Sequence, residues 1–207
     1  MSSSIVGEAS SLLVELEDIL KPIDLSGLFP EGLPLELELG SGDGSFLLNW
    51  AEANPERNYL GVERLLGRVR KIDRKGRRRG LTNIRGVRVE CAYLLEYLLP
   101  AKSIDCVHVY FPDPWPKRKH WNRRLINERF PALVKKVLKP QGVVYLRTDN
   151  GEYFEQMLNV FSQATDFIPT ETPARLVKFK TDFEDYFNEQ GVPTNVAAFA
   201  LIDKGQS

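Results

Sequence analysis

The sequence has few of the features that mark secreted, membrane-spanning or metal-binding proteins. Its 207 residues include only two cysteines, Cys91 and Cys106, which is too few for a disulfide scaffold or a zinc site. No apolar run approaches the roughly 18 residues that a membrane span requires, and residues 1–20 lack the basic start of a secretory signal. We therefore expect a cytoplasmic protein that binds no metal and no membrane.

Charge is balanced over the whole chain but is distributed unevenly along it. Hydrophobic residues make up 43% and charged residues 27%, which is typical of one globular domain and excludes a disordered chain or a coiled coil. The net charge is zero, yet residues 64–88 contain eleven Lys or Arg and residues 117–139 contain nine, each with one acidic residue. Two such basic blocks in a neutral protein indicate a local surface for a polyanion rather than two solvated helix faces.

Strand-like and helix-like segments alternate from residue 33 onward. This alternation predicts βαβ units and a parallel sheet, which binds its ligand beyond the carboxyl ends of the strands. The residues that follow each strand are therefore the candidates for a site. The predicted strands span residues 33–40, 59–63, 84–91, 104–111, 143–148 and 196–202, and helices are expected at 45–53, 65–79, 92–99, 124–138 and 153–163. Residues 166–195, which are rich in Pro, Thr and acids, are expected to be irregular.

The first predicted turn has the composition of a nucleoside-binding turn. It reads Glu38-Leu39-Gly40-Ser41-Gly42-Asp43-Gly44, and its glycines allow a ligand to approach the backbone closely. Glu63 ends the next strand, where a carboxylate can accept both ribose hydroxyls. A dinucleotide fingerprint would need a third glycine where Ser45 stands, which argues against a nicotinamide-dependent dehydrogenase, and no Walker pattern is present.

The fourth predicted strand runs into the most specific segment of the chain. The run Phe111-Pro112-Asp113-Pro114-Trp115-Pro116 is followed by Lys117-Arg118-Lys119. Prolines make a stiff loop, so Asp113 is presented at the ligand-binding edge with little loss of entropy. Trp115 can stack on a base, and the cations can contact phosphate. A plain proline-rich connector would explain the prolines and lysines but not the acid and the tryptophan between them.

Taken together, these motifs resemble one known family. The turn Glu38-x-Gly40-x-Gly42-x-Gly44 resembles the cofactor turn of methyltransferases with a Rossmann-like fold. The longer set resembles the bacterial tRNA (guanine-N7-)-methyltransferase family, and Phe-Pro-Asp-Pro-Trp is its most specific part. The further elements of that set are Asn54-Pro55, residues 58–63, Lys117, His120, Arg123-Arg124, Thr148-Asp149 and Thr181-Asp182-Phe183-Glu184.

The resemblance implies a fold and an activity. The fold would be an α/β, Rossmann-like methyltransferase fold with a mostly parallel, seven-stranded sheet and helices on both faces. It would occupy residues 33–207, after an acidic N-terminal extension at residues 1–32. The activity would be methyl transfer from S-adenosylmethionine to N7 of a guanine in the variable loop of tRNA.

The resemblance also assigns roles to particular residues. The methionine part of the cofactor would be held by Glu38, Gly40, Gly42 and Gly44. Glu63 would bind the ribose, and Asp113 would lie between cofactor and substrate as the catalytic residue. The substrate nucleotide would be contacted by Lys117, Asp149, Thr181 and Glu184, and the RNA backbone by Arg123 and Arg124.

The sequence departs from the family pattern in two places. The family has an Asp near the adenine where this chain has Cys91, so either Glu90 compensates through a shifted strand end or the cofactor binds more weakly. Because side chains alternate along a strand, we expect weaker binding, with Cys91 as a small apolar wall beside the adenine. The family's basic N-terminal segment is replaced by an acidic one. These departures leave open an RNA-binding protein without activity, or a methyltransferase for another substrate. The sequence also leaves open whether the protein is a monomer or a homodimer.

Overall fold

A central β-sheet organises the chain. The computed structural model describes residues 11–29 and 32–202. Within them, eight strands form one sheet in the order β1-β4-β3-β2-β5-β6-β8-β7, and β8 runs antiparallel to both of its neighbours while β1 to β6 are parallel. The strands are β1 Leu13–Val14, β2 Leu35–Leu39, β3 Asn58–Glu63, β4 Ile84–Arg88, β5 Ile104–Tyr110, β6 Leu138–Thr148, β7 Phe167–Thr170 and β8 Asn195–Leu201.

Helices cover both faces of the sheet, as the resemblance implied. They are α1 Ser45–Ala53, α2 Leu66–Arg78, α3 Cys91–Tyr93, α4 Phe130–Val137, α5 Gly151–Ser162, α6 Ala174–Val177 and α7 Asp182–Glu189. A π-helical turn, Leu94–Leu98, continues α3, and a 3₁₀ helix spans Arg118–Arg123. On one face Leu37 and Leu146 pack with residues of α4 and α5, and on the other Phe46 of α1 packs near Ile72 of α2.

The strand order reverses next to β2. The chain leaves β2 for β3 on one side, and β5 lies on the other side. A crevice beyond the carboxyl ends of the strands is expected at such a reversal. This geometry brings together the glycine turn after β2, Glu63 at the end of β3 and the proline-rich loop after β5.

Several predicted boundaries are corrected by the structure. The described residues form an eight-stranded sheet, where the resemblance implied seven strands and the sequence pattern located six. The pattern missed β1 and β7, which have too few residues to show a period. The strand expected to reach Cys91 ends at Arg88. The helix expected from residue 124 begins at Phe130 with a proline in its first turn, and residues 166–195, expected to be irregular, contain β7, α6 and α7.

The described part of the N-terminal segment lies against the rest of the chain. β1 pairs with β4, Leu12 and Ile23 are buried, and the Ile23 backbone N–H donates a hydrogen bond to the Leu98 carbonyl oxygen at 2.7 Å. The predicted division at residue 32 stays a prediction, and residues 1–10, 30–31 and 203–207 lie outside the described residues. Across the described ranges, the structure contains no helix that is both long and apolar enough to cross a bilayer. In the same ranges, no three or more His, Cys, Asp or Glu side chains lie together in a way that could hold a metal ion.

Candidate active site

Two cavities lie side by side at the carboxyl ends of β2, β3 and β5. The first, of about 280 Å³, is lined by Glu63, Cys91 and Asp113 and is called here the Glu63 cavity. The second, of about 330 Å³, is lined by Glu38, Gly40 and Gly42 but not by Gly44, and is called the Glu38 cavity. They share Gly40, Arg68, Tyr110 and Phe111. A ligand with two distinct parts can therefore span both cavities across the end of β2.

The glycine turn is shaped by left-handed backbone conformations. Gly42 has φ +56°, and a Cβ atom there would meet nothing within 4 Å, so the backbone faces open space in the Glu38 cavity. Gly44 has φ +85°, and its Cβ would lie 2.9 Å from Ile72. The turn therefore needs glycine at Gly44 for packing against α2, and at Gly42 it leaves the backbone accessible to a ligand.

Glu38 carries a buried carboxyl group that lacks one partner. Its side chain is 4% exposed, and its Oε2 atom accepts no hydrogen bond from any residue that the structure describes. Burial raises the pKa of Glu38 to about 8. A buried polar atom without a partner is costly, and this one lines a cavity. The position therefore suits a ligand group that donates hydrogen bonds or carries positive charge.

Glu63 is held in place by the start of the next helix. Its Oε1 atom accepts a hydrogen bond from the Leu65 backbone N–H at 2.8 Å, and its Oε2 atom lies 3.6 Å from an Arg68 guanidinium nitrogen. The side chain is 7% exposed and lines the Glu63 cavity. The carboxylate is thus oriented in advance for a ligand that offers hydroxyl groups.

Cys91 and Glu90 have different roles at the end of β4. The Glu90 carboxylate accepts hydrogen bonds from the backbone N–H groups of Ala92 at 3.0 Å and Tyr93 at 2.8 Å, so it caps α3. Cys91 is the first residue of that helix and lines the Glu63 cavity. Burial raises the pKa of the Cys91 thiol to about 12, so the thiol is neutral. Glu90 also lines the Glu63 cavity, so the wall here combines a neutral thiol with a carboxylate that is committed to the α3 backbone.

The proline-rich loop is strained and carries Asp113 at the cavity rim. Phe111 and Trp115 have φ of 50° and 45°, which non-glycine residues rarely adopt. Asp113 is exposed and lines the Glu63 cavity together with Trp115 and Arg123. The Arg123 guanidinium lies 5.0 Å from the centre of the Trp115 ring. Lys117 is also exposed, so cations stand beside the acid at the entrance.

Arg124 does not occupy the surface position expected of an RNA contact. Its side chain is 1% exposed. The Nε atom donates to the Pro114 carbonyl oxygen at 2.7 Å, and the terminal nitrogens donate to Gln156 at 2.5 Å and Glu152 at 2.7 Å. The guanidinium therefore ties the loop to α5 and is not free to bind a phosphate.

Glu184 is likewise committed inside the protein rather than presented to a substrate. It is 3% exposed and forms an ion pair at 3.0 Å with Arg147, a buried residue that sequence reasoning missed. Arg147 also donates to the carbonyl oxygens of Phe179 at 2.7 Å and Leu176 at 2.6 Å. The one sequence signal for Arg147 is a charged residue directly after the apolar run of residues 143–146.

Thr181 and Asp149 are placed differently from each other. Thr181 lines the Glu38 cavity, and its hydroxyl accepts the Glu184 N–H at 2.9 Å as the cap of α7. Asp149 follows β6, is half-buried and lies outside the lining of both cavities. Thr181 is therefore at the site, held there by α7, whereas Asp149 stands apart from it.

Tyr110 is a second residue that sequence reasoning missed. It lines both cavities, and its hydroxyl lies 2.8 Å from Nδ1 of His108. Nε2 of His108 lies 2.7 Å from the Glu36 carboxylate, which also accepts the Trp50 indole N–H at 2.9 Å. All four side chains are buried. These buried, hydrogen-bonded side chains therefore hold in place the Tyr110 ring, which lines both cavities.

Comparison with known proteins places this site in a family. A family model described as "Putative methyltransferase" matches residues 33–196. The tRNA (guanine-N(7)-)-methyltransferase of Halorhodospira halophila is 39% identical over 155 residues, which are 75% of this chain and 67% of that protein. The enzyme of the same name from Nitrosococcus oceani is 36% identical over 171 residues, 82% of this chain and 72% of that protein. The chain belongs to the tRNA (guanine-N(7)-)-methyltransferase family.

Solved structures support the fold of this family member. A 30S ribosomal A1408 methyltransferase from an uncultured bacterium superposes with a TM-score of 0.56 at 17% identity, covering 82% of this chain and 88% of that one. A precorrin-6y C5,15-methyltransferase from Geobacter metallireducens gives 0.56 at 13% identity, covering 81% and 80%. At such identities the likeness concerns the fold alone, which is the Rossmann-like methyltransferase fold that the sequence predicts.

Proposed function

We propose that this protein transfers a methyl group from S-adenosylmethionine to N7 of a guanine in the variable loop of tRNA, in the cytoplasm. The observation that carries the proposal is the 35–39% identity with relatives named tRNA (guanine-N(7)-)-methyltransferase, over about three quarters of the chain. The paired cavities at the strand ends support it, because together they offer polar groups for the two parts of a nucleoside cofactor, with Asp113 at the rim where a base can approach.

The residues around the cavities fit that cofactor. Glu38, with its unpaired oxygen, and the turn of Gly40, Gly42 and Gly44 would hold the methionine part, whose ammonium group can partner the carboxylate. Glu63 would accept the ribose hydroxyls, and Cys91 would lie beside the adenine. When bound, S-adenosylmethionine supplies an electrophilic methyl group.

The chain's own residues would act by orienting the base. Guanine N7 has a lone pair in the plane of its ring, so the reaction needs no strong general base. Alignment of two bound reactants can contribute on the order of 7–11 kcal/mol. We assign Asp113 as the catalytic residue because it lines the Glu63 cavity from the rim, where a carboxylate can accept N–H groups of the guanine and stabilise its developing positive charge.

Cations at the rim would hold the phosphates around that base. Arg68 and Lys71 line the Glu38 cavity, and Arg123 lines the Glu63 cavity. Lys117 is exposed in the same loop as Asp113. Opposite charges at the rim therefore separate the two tasks, since the Asp113 carboxylate would bind the base and the cations would bind the RNA backbone.

Product analysis tests the proposal directly. Unmodified tRNA is incubated with methyl-labelled S-adenosylmethionine and the protein, and the digested nucleosides are separated. We expect the label in N7-methylguanosine, and no label when the tRNA is transcribed with 7-deazaguanosine, which lacks the accepting atom. Label in another nucleoside would favour a different substrate site, and tRNA binding without transfer would favour the inactive RNA-binding alternative.

A further inference from the structure

The cations of α2 and its end fall into two sets. Lys75 pairs with Asp43 at 2.7 Å, Arg77 with Asp73 at 3.9 Å, and Arg79, just after the helix, with Glu52 at 3.2 Å. Arg70, Arg74 and Arg78 are exposed, and none of them has an ion pair or hydrogen bond to any residue in the described ranges 11–29 and 32–202. Arg68 is a fourth paired cation, with Glu63 at 3.6 Å, and Lys71 lines the Glu38 cavity. The structure therefore separates the three free guanidinium groups of Arg70, Arg74 and Arg78 from the cations that are paired or at the cavity.

The three free arginines form a ridge along one face of the helix. They are spaced four residues apart, so neighbouring side chains lie about 6 Å apart along the axis and the ridge is about 12 Å long. Like charges at this spacing repel each other and weaken a helix. Asp73, the one acid of α2, pairs with Arg77 rather than with an arginine of the row. Anions bound along the row would relieve the repulsion between its charges.

The ridge begins beside the active-site crevice. α2 starts at Leu66, directly after the Glu63 carboxylate and its Leu65 partner. Arg68 and Lys71, on its first turns, line the Glu38 cavity. Arg70 is adjacent to these residues, and Arg74 and Arg78 follow on successive turns. The ridge therefore runs from the side of the Glu38 cavity toward the C-terminal end of α2.

We propose that Arg70, Arg74 and Arg78 bind successive backbone phosphates of the tRNA strand that leads away from the target guanine. This arginine ridge rests on the proposed function, since the bound polyanion is the substrate of the same site. A guanidinium group can donate two parallel hydrogen bonds to the oxygens of one phosphate. Val69 and Ile72 of α2 are buried in the core, and Leu66, at the start of the helix, is the one apolar residue of α2 that is exposed, at 37%. A single exposed leucine does not make the apolar face that a membrane-surface helix needs, so the ridge suits a nucleic acid better than a bilayer.

A pair of charge-matched variants tests the ridge. R74Q/R78Q removes two unpaired cations, whereas R77Q/R79Q removes two paired cations from the same part of the chain. The affinity for tRNA is measured over a range of salt concentrations. The logarithm of the binding constant falls as the logarithm of the salt concentration rises, and each phosphate contact that is lost makes this fall less steep by about 0.7–0.9. We expect R74Q/R78Q to reduce the steepness by about 1.4–1.8 and to raise KM for tRNA with little change in kcat. R77Q/R79Q should reduce the steepness by less than half as much.

The outcomes separate the ridge from the proposed function. If the parent protein neither binds nor methylates tRNA, the proposed function fails. If the parent methylates tRNA and the two variants show the same slope, the ridge proposal is overturned and the function stands. If R74Q/R78Q has a lower affinity for anionic vesicles but an unchanged affinity for tRNA, the ridge proposal is also overturned. Thermal unfolding of both variants and an unchanged affinity for S-adenosylmethionine ensure that the comparison is made on folded protein.

Discussion

Among single residues, Glu38 has an ionisation that the fold strongly changes. Burial raises its pKa to about 8 from a usual value of 4.5, so the folded protein holds a proton here that an unfolded chain releases. The contribution of this proton to stability is present below pH 4.5 and is lost as pH rises through about 8. A bound ammonium group favours the ionised form. Binding of the cofactor is therefore linked to release of the proton.

The first prediction concerns this linkage. We expect the affinity for S-adenosylmethionine to rise between pH 6 and pH 8 by up to about tenfold per pH unit, because one proton is released on binding. Calorimetry in buffers with different ionisation enthalpies measures that proton. Glu38→Gln should bind more weakly and without this pH dependence. A parent affinity that is flat over the same range would contradict the assignment.

The second prediction concerns Asp113, which is exposed on the loop after β5. Asp113→Ala should abolish methyl transfer because it removes the carboxylate at the rim of the Glu63 cavity. Stability should change by no more than about 1 kcal/mol, since the side chain is not part of the core. Single-turnover rates and urea unfolding measure the two effects. Glu128→Ala, at an exposed acid elsewhere in the chain, serves as the control, and near-parental turnover by Asp113→Ala would show that the residue is misassigned.

The third prediction concerns the segment after β4, where Cys91 and Glu90 both line the Glu63 cavity and Glu90 also caps α3. A neutral thiol is a poor acceptor for an adenine amino group, so Cys91→Asp should tighten cofactor binding several-fold. Glu90→Ala should cost stability of about 0.5–2 kcal/mol by loss of the cap, with a smaller effect on binding. If Cys91→Asp weakens binding and Glu90→Ala abolishes it, Glu90 is the adenine ligand.

Among secondary-structure elements, the loop after β5 and the 3₁₀ helix Arg118–Arg123 decide how two adjacent arginines act. Arg123 is exposed against Trp115, whereas Arg124 is buried and binds the loop and α5. The fourth prediction is that Arg123→Ala weakens tRNA binding with an unchanged melting temperature. Arg124→Ala should instead lower stability by about 1–3 kcal/mol, because the hydrogen bonds that its buried guanidinium donates to the loop and to α5 are lost. Equal effects of both variants on tRNA affinity and on melting would contradict this division.

Whether a helix or strand could be predicted depended on its length and on the turn and capping residues at its ends. Residues 45–53 were predicted as a helix and form α1 with those bounds, since an amphipathic pattern runs between a glycine turn and Asn54-Pro55. Residues 182–189 were expected to be irregular but form α7. The spacing of Thr181 and Glu184 matches a capping box, which was a usable signal. β1, of two residues, pairs through Leu13 and Gly86, and so short a segment has no periodicity.

For the whole molecule, the described N-terminal segment contributes core residues to the domain. Leu12 is 5% exposed and Ile23 is 9% exposed, whereas Leu20 is 80% exposed. The fifth prediction is that Leu12→Ala and Ile23→Ala each lower the free energy of unfolding by about 2–3 kcal/mol. Leu20→Ala should change it by less than about 0.5 kcal/mol. Chemical denaturation measures all three, and equal effects would mean that this segment does not pack against the domain.

The sequence by itself determined the alternation of strands and helices, the nucleoside-binding turn, the exposed loop with Asp113 and the resemblance to one family, because these features depend on local spacing and residue type. Only the tertiary structure decided which charges are free. Arg123 and Arg124 are adjacent, yet one is exposed and the other buried, and Glu184 is paired inside with Arg147. The strand Leu-Glu-Leu-Glu-Leu is buried on both faces, which places Glu38 unpaired at the cavity. Burial and pairing arise from residues far apart in the chain, so local spacing does not contain them.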